Sequence, residues 1–232
     1  MAGAFGGYFV AAYFSNAGFL NAGPVQTFVS IGLMMVVAMI VSTVIAVIME
    51  RVAYRPLRNA PRLVPLITAI GASFFLEYSF RGVFGPGIYA YPSISILQQD
   101  LLPGIVRFRV IDLVVIGAAV LMMLGLYLFV TRTKVGTAMR AVSEDMATAS
   151  LMGIDVDRII VTTFAVGAAM AGAAGVLYGL MFTQVYFFSG FIPGIKAFTA
   201  AVLGGIGNIP GAMLGGLFLG LAEGIGPILF LD

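Results

Sequence analysis

VQTFVSIGLMMVVAMIVSTVIAVIM, Val25 to Met49, is a near-continuous apolar run that ends at Glu50 and Arg51. A bilayer core about 30 Å thick needs about 20 predominantly apolar helical residues to cross it. The run therefore reads as a transmembrane helix, and the composition around it agrees. Of 232 residues, 61% are hydrophobic and only 9% charged, with a mean hydropathy of +1.08. Soluble domains carry about 25% charged residues. The chain is composed as a membrane protein.

Further apolar runs extend from about Leu63 to Phe84, Val110 to Val130 and Ile159 to Phe182. From Ala197 to Leu231 the apolar character persists, but Gly204, Gly205, Gly207, Pro210 and Gly211 interrupt it, which predicts two shorter elements meeting at a break. The opening MAGAFGGYFVAAYF is apolar and short for a full span. The expected fold is an all-α polytopic membrane helix bundle of about six to seven membrane segments, in a single domain over residues 1–232, with a Gly/Pro-broken element near 204–211.

Orientation follows from Lys and Arg in the short connections, whose excess marks the cytoplasmic side. Arg51, Arg55, Arg58 and Arg62 fill the first connection, Arg107 and Arg109 the second, and Arg132, Lys134, Arg140 and Arg158 the third. The first and third are thus inside. The second carries Pro86, Gly87, Tyr89, Tyr91, Pro92, Pro103 and Gly104, turn residues and interfacial aromatics suited to the outside.

Cysteine and histidine are both absent. This removes disulfides, thiolate metal sites, Cys nucleophiles and the commonest general base. No pair of Asp residues falls within a span, so paired-carboxylate chemistry has no basis either, and the chain is not expected to be an enzyme. A net charge of +2 is too small to imply nucleic acid.

One polar, helix-patterned island stands out: KVGTAMRAVSEDMATASLMGI, Lys134 to Ile154. Val135, Ala138, Met139, Val142, Met146, Ala149 and Met152 recur at three- and four-residue steps, with Thr137, Arg140, Glu144 and Thr148 on the other side, as in an amphipathic helix. Gly153 is placed as its C-terminal stop, and Asp155 as the cap of the next helix. Pattern alone allows a helix resting on the lipid interface. Its acids Glu144 and Asp145 would be repelled by anionic lipid, which favours a protein partner.

GTAMRAVSEDMATASLMGI (136–154) and, after one span, GIKAFTAAVLGGIGNIPGAMLGG (194–216) resemble the inner-membrane permease subunits of bacterial ABC importers for branched-chain amino acids. The resemblance extends over essentially the whole chain, including ERVAYRPLRNAPRLVPLITAIGAS (50–73). It implies that residues 134–154 form the cytoplasmic coupling element, with Gly136, Arg140, Ala141, Glu144, Asp145, Ala149 and Gly153 docking an ATP-binding subunit. It also implies a second permease subunit, an extracytoplasmic solute-binding protein, a multi-pass location in the bacterial inner (plasma) membrane, and no cofactor in this chain, ATP being used by the partner. Relatives carry a span before the MAGAFGGYF region and another after Asp232, so a chain truncated at both ends is expected.

The remaining motifs concern packing and path. Gly167, Ala171, Gly175 and Gly179, and likewise Ala212, Gly216, Gly220 and Gly224, form stripes at four-residue spacing, which let helices approach closely as a static seam or a sliding one. Leu177, off the first stripe, is expected to face lipid. The region AVLGGIGNIPGAMLGG lacks the GxxxxGK[ST] pattern of a phosphate loop. Its break at Gly204, Gly205 and Gly207 is either an interfacial turn or part of the translocation path, since irregular backbone within a membrane is tolerated where it lines a cavity.

Glu77 and Glu223 lie inside apolar segments and join the path candidates on the same grounds. Arg81 stands one turn from Glu77, able to pair with it or to snorkel to the interface; Lys196 is the candidate partner of Glu223. A self-sufficient secondary transporter or channel for a small polar solute is the alternative function. The residues do not separate leucine, isoleucine and valine from amides or urea as substrate, nor a homodimer of permeases from a heterodimer.

Overall fold

A computed structural model describes residues 1–16, 23–57, 61, 63–92, 94–99 and 109–230. Of the sequence expectations, Arg58, Arg62, Pro103, Gly104, Arg107 and Asp232 fall outside these. Among the described residues the architecture is helical apart from one two-residue ladder.

The quoted apolar run becomes α2, Pro24–Met49, opened by the proline whose missing N–H costs nothing in a first turn. The helix does not stop at Glu50. It winds on through a π-helical turn, Glu50–Tyr54, and a short 3₁₀ turn, Arg55–Leu57. Before it lies α1, Ala2–Asn16, and after it α3, Leu63–Phe84. At about 1.5 Å per residue the 22 residues of α3 reach about 33 Å. Next come α4, Val110–Arg132, α7, Val156–Phe182, and the pair α8, Phe191–Gly204, and α9, Ile209–Phe230. Among the described residues, four helices are long and apolar enough to cross a membrane: Val25–Leu57, Val110–Arg132, Val156–Phe182 and Ile209–Gly226, with Phe191–Gly204 a shorter apolar helix.

The core sits where α1, α2 and α7 pack together. Close approach is made by small residues. A Cβ at Gly172 would lie 2.5 Å from the Ala38 carbonyl oxygen, and one at Gly3 2.5 Å from the Gly172 Cα. The Thr43 hydroxyl donates to the Ala165 carbonyl at 3.3 Å, tying α2 to α7. Leu177 is only 4% exposed, so it packs inward rather than facing lipid.

The two charged connections meet at one end of the bundle. Arg55 from the end of α2 pairs with Asp157 in the first turn of α7 at 2.8 Å. At the opposite end β1, Tyr89–Ala90, pairs antiparallel with β2, Gln184–Val185, Tyr89 opposite Val185. Tyr91 follows, buried, its hydroxyl donating to the Ala4 carbonyl at 3.3 Å and its ring against Gly179. This is the arrangement that alternating inside and outside connections require.

The break near 204–211 is a tight hairpin between α8 and α9. Gly205 and Gly207 have φ of 89° and 94°, in the left-handed region that side chains disfavour. The helices then run so close that a Cβ on Gly204 would lie 2.0 Å from the Gly211 carbonyl oxygen. Asn208 caps α9, its side-chain oxygen accepting from the Gly211 N–H at 3.2 Å.

Candidate functional site

The polar island is not one helix. It forms α5, Lys134–Glu144, and α6, Met146–Leu151, separated at Asp145, whose φ of −152° and ψ of 109° are extended. Asp145 is therefore the cap of α6. Its carboxylate accepts from the Ala147 N–H at 2.9 Å and from the Thr148 hydroxyl. These bonds, Thr148 first and then the backbone N–H groups, hold the carboxyl below its ordinary range. The break resets which residues share a face. Ala149 turns inward and is buried, whereas Met146, Leu151 and Met152 are 57%, 87% and 80% exposed. The single apolar face expected from the sequence is thus split into a half that packs on the bundle and a half that faces away from it.

Thr133 makes the elbow that swings α5 out of the end of α4. Its hydroxyl accepts from the Gly136 N–H at 3.0 Å and donates to the Phe129 carbonyl at 2.6 Å. Gly136 is buried there because a Cβ would lie 2.3 Å from the Val130 carbonyl oxygen. Of the residues the resemblance assigned to docking, Arg140, Glu144, Asp145 and Gly153 are exposed, Ala141 is half-buried, and Gly136 and Ala149 point into the fold. Gly153, at φ 84°, terminates the island as expected, with the Ile154 N–H returning to the Ala149 carbonyl at 3.1 Å. Asp155 caps α7, accepting from the Arg158 N–H at 3.1 Å. The outcome is a pair of short helices at the charged end of the bundle, capped at Thr133, Asp145 and Asp155, with Met146, Leu151, Met152, Glu144 and Asp145 all exposed.

A second region lies between α3 and α8, which run antiparallel: Tyr78 meets Phe187 and Phe74 meets Phe191, with ring centroids 6.5 and 5.5 Å apart. The first turn of α8 therefore lies beside the middle of α3, and the irregular backbone of residues 186–190 enters the bundle there. Its Ser189 is buried and satisfied, the hydroxyl donating to the Tyr186 carbonyl at 2.8 Å. A cleft of ≈ 500 Å³ separates the helices, walled by Ala69, Ile70, Ser73, Phe191, Ile195 and Phe198. A smaller pocket of ≈ 190 Å³ shares Ser73 and Gly190 with it and reaches Glu77.

Glu77 is 4% exposed. The Ser73 hydroxyl donates to its Oε1 at a long 3.5 Å, and its Oε2 has no hydrogen-bond partner among the described residues. Arg81 does not pair with it; the guanidinium stacks over Phe187, 5.3 Å from the ring centroid. Glu223 does meet Lys196, whose ammonium donates to both carboxylate oxygens at 2.5 and 2.7 Å across the α8–α9 hairpin. Sequence could name that pair but not join it. Gly204, Gly205 and Gly207 lie at the hairpin turn, away from Glu77. Sequence reasoning missed Glu50, which is completely buried at the first position of the π-helical turn although it reads as the end of a span. A single charge after an apolar run gives no warning of such burial.

A polytopic α-helical membrane protein with one structured, charged end is the class these features define. The family profile described as branched-chain amino acid transport system / permease component matches residues 2–230, and the chain belongs to that family. It is 43% identical over 211 residues to the high-affinity branched-chain amino acid transport system permease protein BraD of Pseudomonas aeruginosa, covering 88% of this chain and 68% of that one. It is 46% identical over 182 residues to the corresponding protein LivH of Escherichia coli, covering 76% and 58%. A more distant relative, the xylose transport system permease protein XylH of Escherichia coli, is 24% identical over 172 residues, covering 66% and 44%. The chain thus spans about two thirds or less of the length of these relatives. No solved structure matches it.

Proposed function

We propose that this chain is a membrane-spanning permease subunit of an ABC importer for branched-chain amino acids, seated in the bacterial inner membrane as a single permease domain over residues 1–232. It does no chemistry and holds no cofactor; a partner ATP-binding subunit uses ATP. A second permease supplies the other half of the path, and an extracytoplasmic solute-binding protein delivers the substrate. Support comes from the family and from the names its relatives carry.

The observation that carries the coupling role is the α5–α6 elbow. Three apolar side chains, Met146, Leu151 and Met152, and the acids Glu144 and Asp145 are exposed within one short stretch at the end of the bundle where basic residues gather. Single apolar residues on a surface are ordinary, but three large ones exposed beside two acids within nine residues of a capped projection suit a protein partner. Within residues 134–154, docking then falls to Arg140, Glu144 and the exposed apolar residues, while Gly136 and Ala149 shape the elbow.

Co-purification in detergent with a co-expressed ATP-binding subunit tests this. Glu144→Lys should lower the recovered ATP-binding subunit by roughly tenfold, because a like or inverted charge at an interface rim costs on the order of 1.4 kcal/mol or more. Normal recovery and normal leucine import by that variant would remove the docking assignment. Leucine uptake by this chain alone in proteoliposomes, without ATP, would favour the self-sufficient transporter instead.

A further inference from the structure

We infer that Glu77 is the ammonium-binding residue of a substrate subsite in the cleft between α3 and α8, and that the subsite takes a primary ammonium carrying a branched apolar tail. The inference rests on the permease reading and names the chemistry of its path. An ionisable group within a membrane helix is costly and faces a partner or a cavity. Glu77 faces a cavity: it is buried, it lines the ≈ 190 Å³ pocket, and its Oε2 is without a hydrogen-bond partner among the described residues. Leaving a buried acceptor unsatisfied is costly, more so when it is charged.

No cation nearby donates a hydrogen bond to it among the described residues. Arg81, one turn further along α3, is turned over Phe187. Met1 lines the same pocket and its amino group acts on Glu77 through space, but among the described residues neither an ion pair nor a hydrogen bond joins the two, so Oε2 stays without a donor. Lys196 is committed to Glu223.

What surrounds the carboxylate defines the rest of the ligand. Past Ser73 and Gly190 the pocket opens into the ≈ 500 Å³ cleft, where Ile70, Phe191, Ile195 and Phe198 present only apolar surface. An apolar cavity of about 150 Å³ already admits a benzene-sized molecule. A branched four-carbon side chain fits the larger space with room to move, as a path requires. The acceptor at one end and the apolar walls at the other complement an ammonium and an aliphatic tail on the same small molecule. A neutral polyol would find one acceptor and no further polar side chain beyond Ser73 among the residues walling the cleft.

Because the chain has no cysteine, Ile70→Cys gives a single reporter in the cleft. Its labelling by a small maleimide is followed in the assembled complex in detergent, in the presence of L-leucine, 3-methylbutylamine, which lacks the carboxylate, or 4-methylpentanoate, which lacks the ammonium. The first two should protect the cysteine and the third should not. In the Glu77→Gln background, the concentration of amine needed for protection should rise roughly tenfold or more, the scale of a lost charged hydrogen bond. Glu77→Asp should keep the preference for amines.

Equal protection by the amine and the carboxylate, protection unchanged by Glu77→Gln, or no protection by any of the three would overturn the inference. If Glu77→Gln does not assemble, the ligand series on the Glu77 protein decides alone. Failure of the permease reading looks different: the chain would not recover an ATP-binding subunit at all. A complex that assembles and imports leucine while Ile70→Cys labels indifferently removes only the subsite.

Discussion

Two stripes of small residues look the same in the sequence and do different things. On α7, Gly175 and Gly179 are pressed against neighbours: a Cβ would lie 2.9 Å from the Ala4 backbone nitrogen at the first and 2.6 Å from the Tyr91 ring at the second. Gly167, on the same four-residue row, has open space within 4 Å, and Gly172, off the row, makes the tightest helix crossing of the core. On α9 the contact is made by Gly211 and Gly215, whereas Gly220 and Gly224 meet nothing within 4 Å.

The difference is one of phase. At 3.6 residues per turn, a step of four turns a side chain about 40° past the starting line, so a row of four such residues spreads over about 120°. Gly172 and Gly179, seven apart, stay within about 20°. On α7 the seam takes in Gly172, Gly175 and Gly179, and the four-residue row leaves it at the Gly167 end.

The sharpest way to break this comparison is to put the same side chain on both stripes. Gly172→Leu would drive a Cβ to within 2.5 Å of the Ala38 carbonyl oxygen, a backbone atom that cannot rotate away. The α1–α2–α7 core should open, and no monodisperse protein should be recovered. Gly220→Leu, placed in open space, should leave the thermal midpoint of the isolated chain within about 0.5 kcal/mol of the parent, as surface substitutions do. Equal loss from both variants would end the distinction.

Next in size is the hairpin. A Cβ at Gly215 would lie 2.3 Å from the Ala200 carbonyl oxygen, so Gly215→Val should splay α8 from α9. Cysteines placed at Lys196 and Glu223, which the hairpin brings together, report the separation. Their cross-linking yield should fall several-fold with Gly215→Val and hold with Gly216→Ala, where the nearest neighbour is an ordinary 3.8 Å away. An unchanged yield with the valine would mean that the hairpin is held elsewhere.

The spans were legible because lipid leaves a coarse mark: about 20 apolar residues in a row cannot be much else. Gly153, Asp155 and the break near 204–211 were legible because caps and left-handed turns demand particular residues at particular places. Illegible features depended on one local event or on distance. A lone extended residue, Asp145, rotated half of the amphipathic island, and nothing in the pattern of apolar residues marks where such a break falls. Lys196 and Glu223 are joined across a hairpin whose register depends on the contact of Gly204 with Gly211. The burial of Glu50 and of Leu177 likewise depends on neighbours far away in sequence.

The cap at Asp145 converts that local event into a measurable one. Asp145→Ala should fray α6 and lower recovery of the ATP-binding subunit several-fold, while Asp145→Asn, which can still accept from the Ala147 N–H, should lose less. The folded carboxyl sits below its ordinary value, so its contribution is complete above the unfolded range and disappears as the pH falls through the lowered folded value. Docking that weakens instead on raising the pH from neutral would contradict the cap.

The smallest effect has the most telling sign. Gly167 lies on the helical interior of α7 with nothing within 4 Å of its missing Cβ, so the substitution Gly167→Ala meets no neighbour and removes a residue that costs a helix about 1 kcal/mol relative to alanine. The variant should be slightly more stable, by up to about 1 kcal/mol. Gly175→Ala adds the same methyl to the same helix two turns on, but there the methyl meets the backbone nitrogen of Ala4, and α1 must move to admit it. Its midpoint should fall. Propensity alone would raise both and a seam along the whole row would lower both; only a seam that the four-residue row has left by Gly167 gives opposite signs. Thermal midpoints of the isolated chain in one detergent decide among the three.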